Sequence, residues 1–268
     1  METFYDTHAH LTSPDFANDL PQVLERAEAS GVRRVVVIGT DLESSRHAIE
    51  LSEAHESLYA VVGWHPNDLG EAPDDVRASL RPLCDHRKVV ALGETGLDHH
   101  RMPSTRGGSA ADDACLKDRQ ERVFRQHLEL ACEMGLNCVI HQRDALRPTL
   151  DILAEYQGRV RGQLHCFVDG PEDMQRVLSL GSLVSFTGVA TFKNAALVRE
   201  TAAAVPLGSF MLETDCPYLA PAPHRGKRCE PAHVRLIAEA LAQARQCTVS
   251  ELSQGTCAAA HGFFRGWS

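Results

Sequence analysis

The chain has 268 residues, a length that suits one (β/α)8 barrel of about 250 residues or two smaller domains. Hydrophobic residues make up 43% of it, yet no apolar run approaches the roughly 20 residues of a membrane span. The acidic start METFYDTHAH lacks the basic and apolar regions of a signal peptide, so we expect a cytoplasmic protein that does not bind membranes. The net charge of −9 argues against broad duplex binding but is compatible with a small basic patch.

Short apolar runs alternate with longer amphipathic segments along the chain. The pattern predicts eight strands, each followed by a helix, and so favours a closed parallel barrel over an open sheet. We therefore expect a single (β/α)8 TIM-barrel domain over residues 1–268, with a doubly wound open sheet as the structural alternative. The predicted strands are 4–8, 34–39, 59–63, 89–93, 137–141, 162–167, 182–187 and 210–214. The predicted helices lie around 15–30, 43–55, 74–86, 118–134, 145–156, 172–180, 194–204 and 231–245.

Two regions stand outside this alternation. Residues 101–117 are rich in Gly, Ser, Ala and Asp and have no periodicity, which predicts a long loop after the fourth strand. Such a loop serves either as a lid or substrate-contacting segment or as solvated chain. Two short apolar-faced segments, 249–252 and 257–264, are expected to close one face of the barrel.

The first predicted strand ends in DTHAHL, whose histidines are candidate metal ligands. In a (β/α)8 barrel the active site lies at the carboxyl ends of the strands. His8 and His10 are two residues apart, so both face the same side of an extended chain, and histidine is the commonest metal ligand. A solvated pair of polar residues is the alternative.

The third predicted strand ends in GWHPND, where Pro66 restrains the turn. His65 is expected either to contact a substrate phosphate or to support a metal ligand. A histidine that merely belongs to the turn is the alternative.

The fourth predicted strand ends in GETGLD, which places a carboxylate after an apolar run. Buried carboxylates are rare unless they are paired or bound to metal. The two oxygens of Glu94 suit a bridge between two metal ions, and the flanking glycines allow the backbone to approach closely. An exposed loop acid is the alternative.

The fifth and sixth predicted strands end in HQR and HCF. His141 or His165 alone would more often be a satisfied core residue, but their coincidence on successive strands predicts metal ligands. Alternation turns Cys166 away from the face that His165 uses, so we expect it to pack against the helices. The nine cysteines include no CxxC pair, which indicates free thiols rather than a disulfide framework or a zinc knuckle.

The eighth predicted strand ends in ETDCPYL, which contains a second candidate carboxylate. Strand eight neighbours strand one in a closed barrel, so Asp215 is expected beside His8 and His10. There it would bind metal and accept a proton from water. A helix-capping role is the alternative.

A cluster of cations follows in the loop HRGKRCEP. Arg and Lys side chains around a flexible glycine suit the binding of phosphate oxygens near the active-site mouth. A solvated charge run is the alternative. The residues assigned to substrate binding are Arg225, Lys227 and Arg228.

Together these motifs resemble the TatD family of metal-dependent deoxyribonucleases, within the amidohydrolase-like metal-dependent hydrolases. DTHAHL, GWHP, GETGLD, HQR, HCF, ETDCPYL and RGKRCEP occur in the family's order and span nearly the whole chain. The resemblance implies a TIM barrel, a two-metal centre and hydrolysis of DNA phosphodiesters, commonly from the 3′ end. It also implies the ligand groups, which are His8, His10 and Asp215 for one ion, His141 and His165 for the other, and Glu94 as the bridge.

Several positions depart from the family's pattern without removing a proposed ligand. Asn67 stands where a second histidine often follows the HP pair, and the 101–117 segment is longer than usual. These changes bear on substrate preference, as do His99 and His100 in place of an aromatic pair. The other departures are Gln142 for a small residue, and Cys229 and Ala259 for two asparagines.

The sequence therefore predicts an ester-bond hydrolase that uses two divalent ions (Mg, Mn, Zn or Co) and cleaves DNA. We expect a 3′–5′ exodeoxyribonuclease that prefers single strands or ends, with Asp215, Glu94 and His65 as catalytic residues. DNA would bind through the local basic loop, and no obligatory protein partner is expected. One alternative is hydrolysis of another bond, such as an aminoacyl ester, amide or lactone, because a fold does not fix a function. The other is a non-catalytic metal-binding or scaffold protein, although six candidate ligands argue against it.

Overall fold

The structure, a computed structural model, describes residues 2–267. Within them eight parallel strands alternate with helices and form one sheet in the order β1 to β8, which confirms the predicted barrel. The strands are β1 (Phe4–Ala9), β2 (Val32–Ile38), β3 (Leu58–Val62), β4 (Val89–Asp98), β5 (Cys138–Arg143), β6 (Gly162–Leu164), β7 (Leu183–Phe186) and β8 (Phe210–Leu212). The helices are α1 (Leu20–Ala29), α2 (Leu42–Ala54), α3 (Arg77–Cys84), α4 (Ala110–Met134), α5 (Leu146–Ala154), α6 (Pro171–Ser179), α7 (Ala196–Ala204), α8 (Val234–Arg245) and α9 (Val249–Phe263).

The barrel closes between its first and last strands. The amide of Asp215 donates to the carbonyl oxygen of His8 at 2.9 Å, and the amide of His10 donates to the carbonyl oxygen of Cys216 at 2.8 Å. These hydrogen bonds join the segment after β8 to the carboxyl end of β1. The open-sheet alternative is therefore wrong, and Asp215 is brought beside the DTHAHL motif.

Alternate residues of each strand face two different apolar layers, as the strand period requires. On β2, Val35 and Val37 belong to the layer between the sheet and the surrounding helices. Val36 and Ile38 belong to a smaller cluster that includes other strands and the end of α9. This second cluster is the interior of the barrel.

The carboxyl-terminal segment forms one continuous helix, α9, where the sequence suggested two short pieces. Phe263 and the following Phe264 and Trp267 pack with the interior residues of β2, β3 and β5. Trp267 also packs edge-on against Tyr5, with 5.2 Å between ring centroids. The expected closure of one face is thus confirmed, and the predicted ligands lie at the opposite, carboxyl end of the strands.

The prediction of one loop over 101–117 is wrong for its second half. α4 begins at Ala110, after a capping box in which the amide of Ser109 donates to Asp112 Oδ2 at 2.8 Å. Asp113 accepts hydrogen bonds from the amide and hydroxyl of Ser104, at 2.8 and 2.6 Å, and so ties the loop to the first turn of α4. Acidic side chains in the first turn of α4 interact favourably with the positive end of the helix dipole. This helix start was not apparent from the Gly- and Ser-rich composition of the segment.

Candidate metal centre

The predicted ligands converge at the carboxyl ends of their strands. His8 lies within β1, Glu94 within β4 and His141 within β5. His165 and Asp215 follow β6 and β8, respectively. His8 and Glu94 are essentially inaccessible to solvent, with 0% and 1% of their surface exposed. A cluster of imidazoles and carboxylates at this depth is costly unless a cation or hydrogen bonds compensate it.

A close fit of backbone segments brings Glu94 near His141. Gly96 adopts φ +133°, and a side chain at this position would collide with the carbonyl oxygen of His141. A Cβ at Gly93, with φ +136°, would lie 2.5 Å from the carbonyl oxygen of Val139. Glycine is therefore required on both sides of Glu94, as the sequence analysis expected.

Four ligand atoms, one of them Oε2 of Glu94, lie close together at the β1–β8 junction and form a set that we call group one. His8 Nε2 lies 3.2 Å from His10 Nε2 and 3.3 Å from Glu94 Oε2. His10 Nε2 lies 3.7 Å from Glu94 Oε2. Asp215 Oδ1 lies 3.3 Å from His10 Nε2 and 3.7 Å from His8 Nε2. Ligand atoms about 2.0–2.1 Å from one tetrahedral ion lie roughly 3.3 Å apart, so these spacings fit a single divalent ion.

Oε1 of Glu94 faces a different pair of histidines, which we call group two. It lies 3.0 Å from His141 Nδ1 and 2.9 Å from His165 Nε2. The two imidazole nitrogens are 3.2 Å apart. These three spacings also fit one ion, and with only three protein ligands the group would leave coordination positions open for water or substrate.

The buried polar atoms support the presence of metal at this site. Glu94 Oε2 is buried and has no hydrogen-bond partner within residues 2–267. Its neighbours at 3.3 and 3.7 Å are imidazole nitrogens of His8 and His10, which serve as metal ligands when unprotonated. Imidazole and carboxylate ligands suit Zn, Mn and Co, and to a lesser degree Mg. The residues present therefore fit a divalent ion on each side of Glu94.

The electrostatic environment keeps both carboxylates of the centre ionised. Burial alone raises the pKa of Glu94, but the surrounding His165, His65 and His8 outweigh burial and hold it well below its usual value. Burial likewise raises the pKa of Asp215, while the hydrogen bond from His10 and the nearby histidines bring it below the ordinary range. Both groups are thus anionic at neutral pH, as ligands must be.

His8 and His165 differ in their affinity for protons. Burial lowers the pKa of His8 to about 4, which leaves its imidazole neutral. Burial also lowers the pKa of His165, but the carboxylates of Glu94 and Glu213 raise it to about 9. A cation at group two would therefore have to displace a proton from His165, so we expect metal affinity to rise with pH.

The backbone of Asp215 is in the left-handed region, with φ +57°. Asp tolerates this conformation better than most residues but at some energetic cost, and such strain clusters at functional sites. The carbonyl oxygen of Asp215 accepts a hydrogen bond from the amide of Tyr218 at 2.9 Å, which stabilises the turn. The turn directs the carboxylate of Asp215 toward group one.

His65 lies beside group two, and its hydrogen bonds define which nitrogen carries the proton. Its Nδ1 accepts the amide of Asn67 at 3.1 Å, so the neutral ring carries its proton on Nε2. This Nε2 is 3.5 Å from Glu94 Oε1. Burial lowers the pKa of His65 to about 3, which keeps the ring neutral. His65 therefore presents an N–H donor at the centre, which favours substrate contact over metal ligation.

The three cations of the basic loop differ in how available their charge is for binding substrate. The guanidinium of Arg228 makes two hydrogen bonds to the carboxylate of Asp19, at 2.8 and 2.7 Å, and is therefore already paired. The guanidinium carbon of Arg225 lies 3.6 Å from the ring centroid of Phe192, and Lys227 is exposed. The assignment of all three cations to substrate stays a prediction, with Arg225 and Lys227 offering the more available charge.

The expected position of Cys166 is wrong. β6 ends at Leu164, and Cys166 has φ +48°, so strand alternation no longer determines its direction. Its Sγ lies 3.4 Å from Thr187 Oγ1, at the end of β7, instead of against the helices. Burial raises the pKa of the Cys166 thiol, so it remains protonated and offers no thiolate.

Two carboxylates that lie behind the imidazole rings of His141 and His165 were not predicted from the sequence. Asp98 ends β4, and its Oδ2 lies 3.3 Å from His141 Nε2. Glu213 precedes Asp215 by two residues, and its Oε1 lies 3.8 Å from His165 Nδ1. Both are buried acids within the motifs GETGLD and ETDCPYL. Glu213 directly follows the apolar run of β8, which was the available signal, whereas Asp98 follows Gly96 and Leu97 and had no such signal.

Comparison with known proteins places this site in a family. The profile of the TatD related DNase family matches residues 5–265. An uncharacterized metal-dependent hydrolase of Bacillus subtilis (strain 168), YabD, is 38% identical over 97% of this chain and 98% of its own. A 3′-5′ ssDNA/RNA exonuclease TatD of Edwardsiella piscicida is 32% identical over 97% of this chain and 98% of its own.

A solved structure supports the same assignment. The crystal structure of YJJV, a TatD homolog from Escherichia coli K12, superposes with a TM-score of 0.87 and 28% identity. The match covers 97% of each chain. The chain therefore belongs to the family of TatD-related DNases and is a metal-dependent hydrolase.

Proposed function

We propose that this hydrolase cleaves DNA phosphodiester bonds with two divalent ions and acts as a 3′–5′ exodeoxyribonuclease on single strands or ends. The observation that carries the proposal is the division of Glu94 between two ligand groups, with Oε2 facing His8 and Oε1 facing His165. A carboxylate that faces two separate groups suits a bridge. The relative from Edwardsiella piscicida, named as a 3′-5′ ssDNA/RNA exonuclease, supports the choice of substrate.

Two divalent ions would polarise the phosphate and lower the pKa of water. The residues of the chain supply the remaining functions. Asp215 is the proton acceptor, because its carboxylate is ionised and its side chain retains 14% exposure toward the mouth. His65 donates its Nε2 hydrogen to a phosphate oxygen, since its Nδ1 is already occupied by the amide of Asn67. Arg225 and Lys227 hold a neighbouring phosphate of the strand.

The charge distribution favours a strand end over a long duplex. The chain carries a net charge of −9, so a strand that crossed much of the surface would meet repulsion. Attraction for the phosphates of the strand comes from the metal centre and from the HRGKRCEP loop. A short footprint at the barrel mouth is consistent with removal of terminal nucleotides.

Digestion of labelled oligonucleotides tests the proposed activity. Metal-stripped protein is given Mg, Mn, Zn or Co and then a DNA single strand labelled at the 5′ or the 3′ end. We expect a ladder of progressively shorter 5′-labelled products and early release of a labelled mononucleotide from the 3′ end. EDTA should abolish both.

Three outcomes would contradict the proposal. Internal cleavage without a ladder would exclude the exonuclease. Degradation of an RNA strand of the same sequence, with the DNA strand left intact, would exclude DNA as substrate. Turnover of aminoacyl, amide or lactone substrates in the absence of any oligonucleotide cleavage would show that the centre serves another bond.

The salt dependence of KM tests how the loop binds phosphate. For single strands the binding constant, measured here as 1/KM, has a log–log slope against salt of roughly −0.7 per phosphate neutralised, so Arg225 and Lys227 predict about −1.4. A contribution from Arg228 would bring the slope to about −2. We expect Lys227→Ala to raise KM for all sequences alike and to flatten the slope.

Arg228→Ala provides the comparison within the same loop. Because Asp19 already pairs the guanidinium of Arg228, this change should lower the stability of the fold slightly. The slope of 1/KM against salt should change little. A slope near −6, or a Lys227→Ala enzyme with unchanged KM and slope, would show that phosphate binds elsewhere on the protein. Residues 101–109 would then be the first segment to test.

A further inference from the structure

The two histidines of group two each have a second nitrogen that faces away from Glu94. His141 directs Nδ1 toward Glu94, at 3.0 Å, and its Nε2 lies 3.3 Å from Asp98 Oδ2. His165 directs Nε2 toward Glu94, at 2.9 Å, and its Nδ1 lies 3.8 Å from Glu213 Oε1. The two rings therefore present opposite nitrogens to the same carboxylate oxygen, and a further carboxylate lies behind each ring.

Asp98 is held in place by contacts from three segments. Its Oδ1 accepts the amides of His100 and Arg101, at 2.9 and 3.2 Å, which fixes the turn after β4. Its Oδ2 accepts Nδ2 of Asn67 at 2.7 Å in addition to His141 Nε2. The carboxylate is therefore rigid and only 1% exposed. Asn67, one of the departures from the family's pattern, thus acts on this carboxylate, with no ligand contact of its own among the described hydrogen bonds.

Glu213 is held from the opposite side, inside the barrel. Its Oε2 accepts the hydroxyl of Ser185 at 2.7 Å and Nε2 of Gln163 at 3.0 Å. Its Oε1 accepts the amide of Cys166 at 2.5 Å. His165 Nδ1 is buried without a hydrogen-bond partner within residues 2–267, and Glu213 Oε1 faces it at 3.8 Å, a charge contact longer than a hydrogen bond. The residue has no exposed surface, so its position is determined by these contacts.

Two buried carboxylates in addition to the ligands are expensive, since each has to be removed from water. The cost has a functional explanation. A carboxylate behind an imidazole fixes the orientation of the ring and which nitrogen is free to bind metal, and it makes that nitrogen a stronger ligand. In group one, Glu94 and Asp215 lie at the ligand positions themselves, and the described salt bridges place no further carboxylate on His8 or His10. Glu213 also has an oxygen within 4.8 Å of a ring nitrogen of His8, so Asp98, which contacts group two alone, gives the sharper test.

We propose that Asp98 and Glu213 are positioning residues that set the occupancy of group two by orienting His141 and His165, without binding the ion themselves. This inference rests on the proposed two-ion function. It predicts that the affinities for the two ions can be changed separately. Loss of either carboxylate should weaken the ion at group two and leave the ion at group one little changed.

Calorimetric titration of metal-stripped protein with Mn or Zn measures this without any substrate. For wild type we expect two binding events. In Asp98→Asn and in Glu213→Gln, one dissociation constant should rise by about 10- to 100-fold and the other should change little. Asp144→Asn is the matched control, because Asp144 lies after β5, bonds only to His100 among the described side-chain contacts, and has φ +55°, which Asn tolerates.

A variant with a damaged group one shows which binding event belongs to which group. In His10→Ala, group one lacks a ligand, so the remaining strong binding event belongs to group two. Asp98→Asn in this background should weaken that event by the same factor. The unfolding temperature of each metal-free variant reports on structural damage, and if Glu213→Gln fails to fold, Asp98→Asn decides alone.

The outcomes separate this inference from the proposed function. A wild-type protein that binds one ion would contradict the two-ion function. Two ions in wild type together with unchanged or equally weakened binding in Asp98→Asn would overturn the positioning role. Selective loss at group one in either variant would overturn it as well.

Discussion

Replacing Glu94 with Gln is expected to lower kcat/KM for an oligonucleotide by more than about 100-fold, because changes that only touch a ligand's supporting residue already cost 10- to 100-fold. Glu94 supplies an anionic oxygen to each group, 3.3 Å from His8 Nε2 and 2.9 Å from His165 Nε2. The amide of Gln has one neutral oxygen and one NH2 group. One of the two ligand groups would therefore face N–H donors where its metal ion needs a lone pair. The measurement is steady-state hydrolysis together with metal content.

The fold should survive this change. Gln has nearly the same shape as Glu, and removal of a buried charge relieves its desolvation cost. Glu239→Gln, on the exposed face of α8, is the control for loss of a carboxylate and should behave as wild type. Full activity and unchanged metal content in Glu94→Gln would show that Glu94 does not bridge two ions.

The sequence was sufficient for the ligand positions because each one breaks a strong local pattern. Apolar strand residues such as those of β4 bury both faces of a barrel strand. A polar residue at the end of such a strand, such as Glu94 or His165, is costly unless it has a specific partner. Barrel geometry then brings all strand ends to one rim. The confirmed fold and the convergence of the predicted ligands follow from these two facts.

The supporting carboxylates could not be predicted because their contacts depend on register between strands. β4 pairs with β5 such that Gly96 is opposite His141, which brings Asp98 to the outer side of the imidazole. A single sequence gives the order of strands but no register. The pairing of Arg228 with Asp19 is even less local, since the residues are 209 positions apart. From the sequence alone, a basic residue that pairs with so distant an acid cannot be told apart from an unpaired one.

The start of α4 was missed for a different physical reason. Gly, Ser and Asp favour turns, but Ser and Asp also cap helices when they are three residues apart. Ser109 and Asp112 form such a pair. Composition and capping therefore make opposite predictions for the same residues, and capping prevails because apolar residues of α4 farther along pack on the sheet.

Replacing Asp215 with Asn is expected to lower kcat by roughly 10²- to 10⁴-fold, the contribution of a positioned general base. Asn keeps an oxygen that can bind metal and tolerates the left-handed backbone at this position, φ +57°, so the ion at group one should be retained. Its amide cannot accept a proton from water at neutral pH. The loss should therefore fall on kcat, with KM little changed.

The pH dependence of this variant distinguishes a base from a ligand. The pKa of Asp215 lies below its usual value, so its carboxylate is ionised throughout the neutral and alkaline range and the wild-type rate gains nothing there from its ionisation. In Asp215→Asn, hydroxide from solvent has to replace the missing base, so the rate should rise with pH and the deficit relative to wild type should shrink. Asp173→Asn, at a partly exposed position in the first turn of α6 and remote from the proposed ligands in sequence, controls for the charge change. A constant deficit across pH together with loss of metal would make Asp215 a ligand only, and normal turnover would remove it from the chemistry altogether.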